Sequence, residues 1–245
     1  MNEESTKEKV SAGAGAAKHA RPRRRRKLRV AIVVVVAILV CAGVGMFVWH
    51  DKPGFCGTVC HIEQTYVDNY YQAQDTSGTD KYGNEVDNTN AMMAVLHRSN
   101  KTTAKSEIVC VDCHIPNMGE LAHDGVNYVT GNYYQPRDER SGADLEKWDG
   151  KDSEALCVNE NCHSYLLDGE GKVNRDKLAS TTADMEFNPH DTHHSTQMQC
   201  TTCHKGHRAS VLACTGCHEH EDASLPEGWI TQDQSDELMN KSLKG

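Results

Sequence analysis

Ten of the eleven cysteines stand in pairs, and the second cysteine of every pair is followed at once by a histidine. Two thiols at such spacing can bond to the vinyl groups of one haem while the adjacent imidazole binds its iron. Two residues lie between the cysteines in three of the pairs, three lie between those of the first pair, and four between those of the third. The five motifs are Cys56-Cys60-His61, Cys110-Cys113-His114, Cys157-Cys162-His163, Cys200-Cys203-His204 and Cys214-Cys217-His218.

Other sites that use paired cysteines do not require a histidine directly after each pair. A zinc site has no such requirement, a disulfide framework ignores the histidine, and a thioredoxin-like centre needs a βαβ pattern that the sequence lacks. The longer spacers only lengthen the backbone loop between two anchors. The pattern therefore predicts covalently attached haem c, iron included, at each of the five motifs.

The remaining histidines are candidates for the second face of each iron. Two imidazoles close an iron and leave an electron carrier, whereas an open face admits small ligands. Seven histidines after residue 50 lie outside the motifs, which is enough for five irons, although each could instead be a surface residue. Spacing leaves their pairing open. We take as distal candidates His97, His123, His190, His193 and His207.

An uncharged apolar run, Val30–Trp49, precedes the first motif. Its 20 residues would form a helix of about 30 Å, the thickness of a bilayer core. Residues 1–29 carry ten Lys and Arg against three Asp and Glu, which places them in the cytoplasm by the positive-inside rule. The sequence predicts a single-pass anchor in membrane lipid, with everything after it extracytoplasmic. A cleaved signal peptide is the alternative.

Composition excludes an ordinary globular enzyme core, because only 38% of residues are hydrophobic and there are 3 Phe and 3 Trp. The net charge of -9 divides into +7 for residues 1–29 and -16 for the rest. Because the basic tract adjoins the apolar run, it indicates membrane topology and no nucleic-acid partner.

We predict a mainly α-helical fold with much irregular structure, in which a multihaem cytochrome c ectodomain follows one N-terminal transmembrane helix. Short helices are expected over Glu63–Tyr71 and Asn90–Arg98, and polar loops over Gln72–Asn90 and Pro136–Ser153. The predicted divisions are a tail (1–29), an anchor (30–49), a two-haem module (50–135), a linker (136–156), a three-haem module (157–230) and a C-terminal tail (231–245).

Roughly residues 28 to 130 resemble the NapC/NirT/NrfH family of membrane-anchored quinol dehydrogenase cytochromes. The resemblance rests on the anchor, on Leu96-His97-Arg98-Ser99 and on the block Cys110-Val111-Asp112-Cys113-His114-Ile115-Pro116. It implies that Cys110, Cys113, His114 and His97 bind haem. The first motif departs from the family, since Glu63 stands where a methionine is usual, which leaves the iron ligand of that haem open.

The segment from Cys157 to about Trp229 is similar to the multihaem domain of flavocytochrome c fumarate reductases. The likeness lies in PHDTH at 189–193, then CTTCHKGH at 200–207, then CTGCH at 214–218. It implies distal roles for His190, His193 and His207. Because no flavin domain follows, it also implies a separate flavoprotein as partner.

These observations predict a pentahaem cytochrome that passes electrons from menaquinol to an extracytoplasmic reductase, expected to be a flavoprotein, in anaerobic respiration. Candidate quinol-site residues near the first motif are His50, Lys52, Glu63 and Asp68. One alternative is a relay without a quinol site, fed by another membrane protein. The other is a haem enzyme that reduces nitrite or a similar small molecule.

Overall fold

The computed structural model describes residues 21–50, 52–59, 64–99, 107–115, 118–132, 139, 145, 154–185, 187–191, 198–218 and 225–242. Several of the predicted features fall outside these ranges: residues 1–20 of the tail, most of the linker, Cys60, His61, Glu63 and His193. The chain divides into two compact units, Met1–Val48 and Trp49–Gly245.

The described part of the first unit is helix α1 (Arg21–His50) as far as Val48. Within Arg25–His50, an 18-residue window has a mean hydropathy of 3.0, and the apolar side chains of the helix are exposed on all its faces. At 1.5 Å per residue these 26 residues measure about 39 Å. The helix is thus long and apolar enough to cross a membrane once, while its sidedness stays a prediction.

The second unit is built from short helices joined by irregular chain, which confirms the predicted fold class. Both predicted helices are present, one as α3 and the other as a 3-10 turn (Thr89–Ala91) followed by α4. Its described residues include the α-helices α2 (Pro53–Val59), α3 (Gln64–Tyr70), α4 (Met93–Arg98), α5 (Cys110–Cys113), α6 (Met118–Thr130), α7 (Arg175–Ser180), α8 (Cys200–Cys203) and α9 (Gln232–Ser242). Further 3-10 turns span Ser164–Leu166 and Ala213–Gly216.

In the part of the chain that the structure describes, four two-residue strands form two small sheets. Strands β1 (Gly78–Thr79) and β2 (Glu85–Val86) pair antiparallel, and β3 (Val211–Leu212) pairs in parallel with β4 (Ile230–Thr231). The first pair lies inside the segment expected to be a loop. Its turn is held by Asp80, whose carboxylate accepts two backbone N–H bonds of 2.8 Å. Strands of two residues are too short to show an alternating pattern in the sequence.

A small core joins residues of the predicted two-haem and three-haem modules. Met92 and Val95 are fully buried and pack with Ala209, and Trp229 covers this cluster. The backbone is fastened at the same place, because the Ser210 N–H donates to the Ala91 carbonyl (3.0 Å). Segments far apart in the chain therefore share one core.

Alanine at Gly228 is expected to lower the free energy of unfolding by about 3 kcal/mol. Gly228 has a φ of 78°, and a Cβ there would lie 2.6 Å from the Asn88 carbonyl oxygen. Gly83→Ala is the matched control, since its φ of 85° imposes the same strain with no atom within 4 Å of the added Cβ. That control should lose about 1 kcal/mol in urea unfolding. Equal losses in the two variants would contradict the close approach at Gly228.

Candidate metal centres

The described motifs share one backbone closure, whatever the length of the spacer between their cysteines. In the second and fourth motifs, α5 and α8 are single helical turns that bring both thiols to one side. The histidine N–H returns to the carbonyl of the first cysteine in four motifs: His114 to Cys110 (2.8 Å), His163 to Cys157 (3.1 Å), His204 to Cys200 (2.9 Å) and His218 to Cys214 (3.0 Å). The third motif, with its longer spacer, thus presents its histidine as the regular motifs do.

Three motif histidines each face another imidazole across a similar gap. The ring centroids of His114 and His207 are 6.3 Å apart, with planes 27° from parallel. His190 and His204 are also 6.3 Å apart, at 20°. His163 and His97 are 6.1 Å apart, at 88°.

This separation fits an iron between two imidazoles. With metal–nitrogen bonds of about 2 Å and ring centres about 1.1 Å behind the nitrogens, two ligating rings have centroids about 6.2 Å apart. The donor set, two imidazoles beside two thiols, is that of a six-coordinate haem c. The residues present therefore fit haem at the second, third and fourth motifs.

The outer histidine of each pair holds its Nδ1–H in a hydrogen bond and so leaves Nε2 for a metal. His97 Nδ1 donates to the Met93 carbonyl (2.8 Å), and His207 Nδ1 donates to Asn69 Oδ1 (3.0 Å). His190 Nδ1 lies 3.1 Å from Thr182 Oγ1. Because the Thr182 hydroxyl donates its hydrogen to Asn188 Oδ1, its oxygen accepts the Nδ1–H of His190. Such outer bonds fix the tautomer and orientation of metal-binding histidines.

Burial favours the neutral form, which is the form that binds a metal, at four of the paired imidazoles: His163, His190, His204 and His207. Burial, together with neighbouring histidines, lowers the pKa of His204 to about 4. Burial, together with His114 and Lys81, lowers the pKa of His207 to about 3. Burial also lowers the pKa values of His163 and His190.

The thiols of different motifs lie against one another. Cys157 donates a hydrogen bond to Cys200, which raises the pKa of Cys157 and lowers that of Cys200 to about 7. Cys113 is electrostatically coupled to Cys162 and Cys157. The third motif is therefore in contact with the fourth and close to the second. Because each thioether joins the edge of its own macrocycle, such neighbours suit electron transfer.

An ion pair between buried Arg208 and half-buried Glu139 lies next to His207 in the chain. Arg208 donates to both carboxylate oxygens of Glu139 and, through Nη1, to Ser235 Oγ (3.0 Å). Lys205 Nζ lies 3.4 Å from the same carboxylate. Burial alone would raise the pKa of Glu139, but the Arg208 hydrogen bond and these cations bring it below its usual value.

The other predicted site residues that the structure describes lie in varied surroundings. His50 is half-buried against Phe55 of α2 (centroids 5.1 Å), whereas Lys52 and Asp68 are exposed and Asp68 accepts from Gln64. His123 is exposed on α6. Cys56, Cys214, Cys217 and His218 are also among the described residues.

Sequence reasoning missed the residues that position the imidazoles. Asn69 and Thr182 carry no motif, and only their place beside His207 and His190 gives them a role. Trp229 packs edge-on to the His204 ring (5.1 Å), and Tyr66 does the same to His207 (5.1 Å). None of these residues has a spacing that the sequence would reveal.

Comparisons with known proteins agree with this chemistry. Residues 144–219 match the cytochrome c3 family, a span that includes the last three motifs. The chain is 43% identical over 201 residues to the cytochrome c-type protein Cgr1 of Eggerthella lenta, which covers 82% of this chain and 85% of that protein. No solved structure matches.

Proposed function

This chain belongs to the multihaem c-type cytochromes, which transfer electrons on covalently bound haem, and we propose that it carries electrons from menaquinol to an extracytoplasmic reductase. The observation that carries the proposal is the set of three imidazole pairs, each at 6.1–6.3 Å. An iron closed on both faces exchanges electrons but does not bind a substrate. This favours an electron carrier over a haem enzyme that reduces nitrite.

We assign one haem to each of the five motifs. Haem c supplies an iron that takes up and releases single electrons. The protein supplies the rest: thiols that fix each group, imidazoles that close it, and contacts from Cys157 and Cys162 to neighbouring motifs. The assignment includes the motifs at Cys56 and Cys157, which have longer spacers. In the third motif the His163 N–H still donates to the Cys157 carbonyl, as in the motifs with two-residue spacers.

The first motif is the proposed entry point for electrons. Cys56 lies on α2, and Phe55 beside it packs edge-on against Trp49 (5.2 Å) and His50. Trp49 is the last residue of the apolar run and the kind of side chain found at membrane interfaces. A lipid-soluble quinol would meet the protein at that level. His50 is half-buried against Phe55, the residue before Cys56, and is the candidate that takes the quinol proton.

The acceptor is proposed to be a separate flavoprotein outside the cytoplasm. The part of the chain after residue 29 carries a net charge of -16, before any haem propionates are counted. Such a surface suits a basic docking face, with association that weakens as salt increases. We place the N-terminus in the cytoplasm and the haem-binding unit on the other side of the membrane, following the basic tail.

Anaerobic titration of the membrane-bound holoprotein with a menaquinol analogue tests the donor. We expect rapid reduction of the haems, and a slowing of about 100-fold in His50→Gln, because a positioned base is worth at least that much. Lys172→Gln, at an exposed site, is the matched control. Haem that ignores the quinol but accepts electrons from dithionite would make the protein a relay without a quinol site.

A further inference from the structure

The segment around His207 is held by residues of the predicted two-haem module. The N–H groups at the start of α4 donate to it, Met93 to the Lys205 carbonyl and Ala94 to the Gly206 carbonyl, both at 2.9 Å. These bonds satisfy donors that a helix N-terminus leaves free, and no side chain caps this helix. The Lys81 N–H donates to the carbonyl of His207 itself (2.9 Å).

The His207 ring is held as firmly as its backbone. Asn69 accepts its Nδ1–H, and the Asn69 amide is fixed in turn because its Nδ2 donates to the Thr79 carbonyl (2.9 Å). Tyr66 packs edge-on to the ring. Held in this way, the imidazole faces His114 of the second motif.

His97 belongs to the predicted two-haem module but meets a motif of the three-haem module. It lies near the end of α4, where its Nδ1–H donates to the Met93 carbonyl, and its ring meets His163 of the third motif. Position in the sequence would pair His97 with His114, the next motif histidine downstream. In the structure, the imidazole that faces His114 is His207 instead.

We propose that the two halves of the haem-binding unit, residues 50–135 and 157–230, exchange distal ligands. His207 then binds the iron of the haem at Cys110 and Cys113, and His97 binds the iron of the haem at Cys157 and Cys162. The exchange rests on the proposed function in one respect, that the third motif carries haem. It means that neither of these two haem sites is complete without residues from the other half of the unit.

Electron paramagnetic resonance of the full-length matured protein tests the exchange. His97→Gly should convert one haem from low spin to high spin, and added imidazole should restore the low-spin signal. The variant is then made in two backgrounds, Cys110→Ser with Cys113→Ser, and Cys157→Ser with Cys162→Ser. The exchange requires the high-spin signal to persist in the first background and to vanish in the second. His207→Gly should behave in the opposite way.

A second variant covers the case in which glycine impairs folding. His97→Met replaces one axial ligand by another and raises the reduction potential of the haem it serves. In redox titrations, the raised reduction potential should persist when Cys110 and Cys113 of the second motif are serine. It should disappear when Cys157 and Cys162 of the third motif are serine. A change that follows the second motif overturns the exchange.

Intact mass separates failure of the exchange from failure of the haem assignment. If removing Cys157 and Cys162 leaves the mass of bound haem unchanged, the third motif carries none, and the assignment of five haems falls together with the exchange. If the mass falls by one haem and the His97 signal still follows the second motif, only the exchange is wrong.

Discussion

Serine at both Cys157 and Cys162 is expected to lower the mass of the matured protein by one haem and to stop menaquinol electrons short of the last two motifs. The reason is the position of this motif, since Cys157 is hydrogen-bonded to Cys200 and both cysteines are coupled to Cys113. Quinol should then reduce about half of the remaining haem, while dithionite reduces all of it.

Intact mass spectrometry and the visible spectrum during anaerobic titration measure both effects. Cys41→Ser is the matched control, because Cys41 lies in the apolar helix and outside the five motifs. Its haem content and its reduction by quinol should equal those of the unaltered protein. Full reduction of the remaining haem by quinol in the double variant would show that the path bypasses the third motif.

Alanine at Glu139 is expected to lower the free energy of unfolding by about 3 kcal/mol, because it leaves the buried Arg208 guanidinium without its counter-charge. Arg208 is 8% exposed and uses two of its nitrogens on this carboxylate. Thermal unfolding of the holoprotein measures the loss. Methionine at Arg208 in the same protein should recover most of it, because the uncompensated charge is then gone.

Glu170→Ala is the matched control for this ion pair. Its partner Lys172 is 3.4 Å away, but both side chains are more than three-quarters exposed, so the loss should stay within about 0.5 kcal/mol. The pH dependence has a definite sign. Because Arg208 and Lys205 hold the pKa of Glu139 below its usual 4.5, its contribution is present above that pH and lost as the pH falls. Equal losses for the two variants at pH 7 would contradict the buried pair.

Local chemistry made the motifs and the helices beside them predictable. The closure from His114 to Cys110 spans one turn, and the apolar run of α1 is continuous, so both can be read from adjacent residues. The helices over Gln64–Tyr70 and Met93–Arg98 were likewise expected from their own segments. The membership in the multihaem cytochromes follows from the same motifs.

The pairing of the histidines was not predictable, because it depends on contacts between distant segments. His207 and Asn69 are 138 positions apart, and Arg208 and Glu139 are 69 apart. Neither contact produces a periodicity. The hairpin held by Asp80 was missed for a different reason: its strands are too short for their residues to alternate visibly, and its polar composition is also that of a loop.

The contact between Ser210 and Ala91 spans 119 positions of the chain. At a synthesis rate of about 5–20 residues per second, the ribosome needs roughly 6–24 s to supply the second partner after the first. During that interval Met92 and Val95 have no core to enter, and His114 has no facing imidazole. The segment that carries Cys110 and Cys113 is therefore synthesised several seconds before the residues that complete its surroundings in the fold.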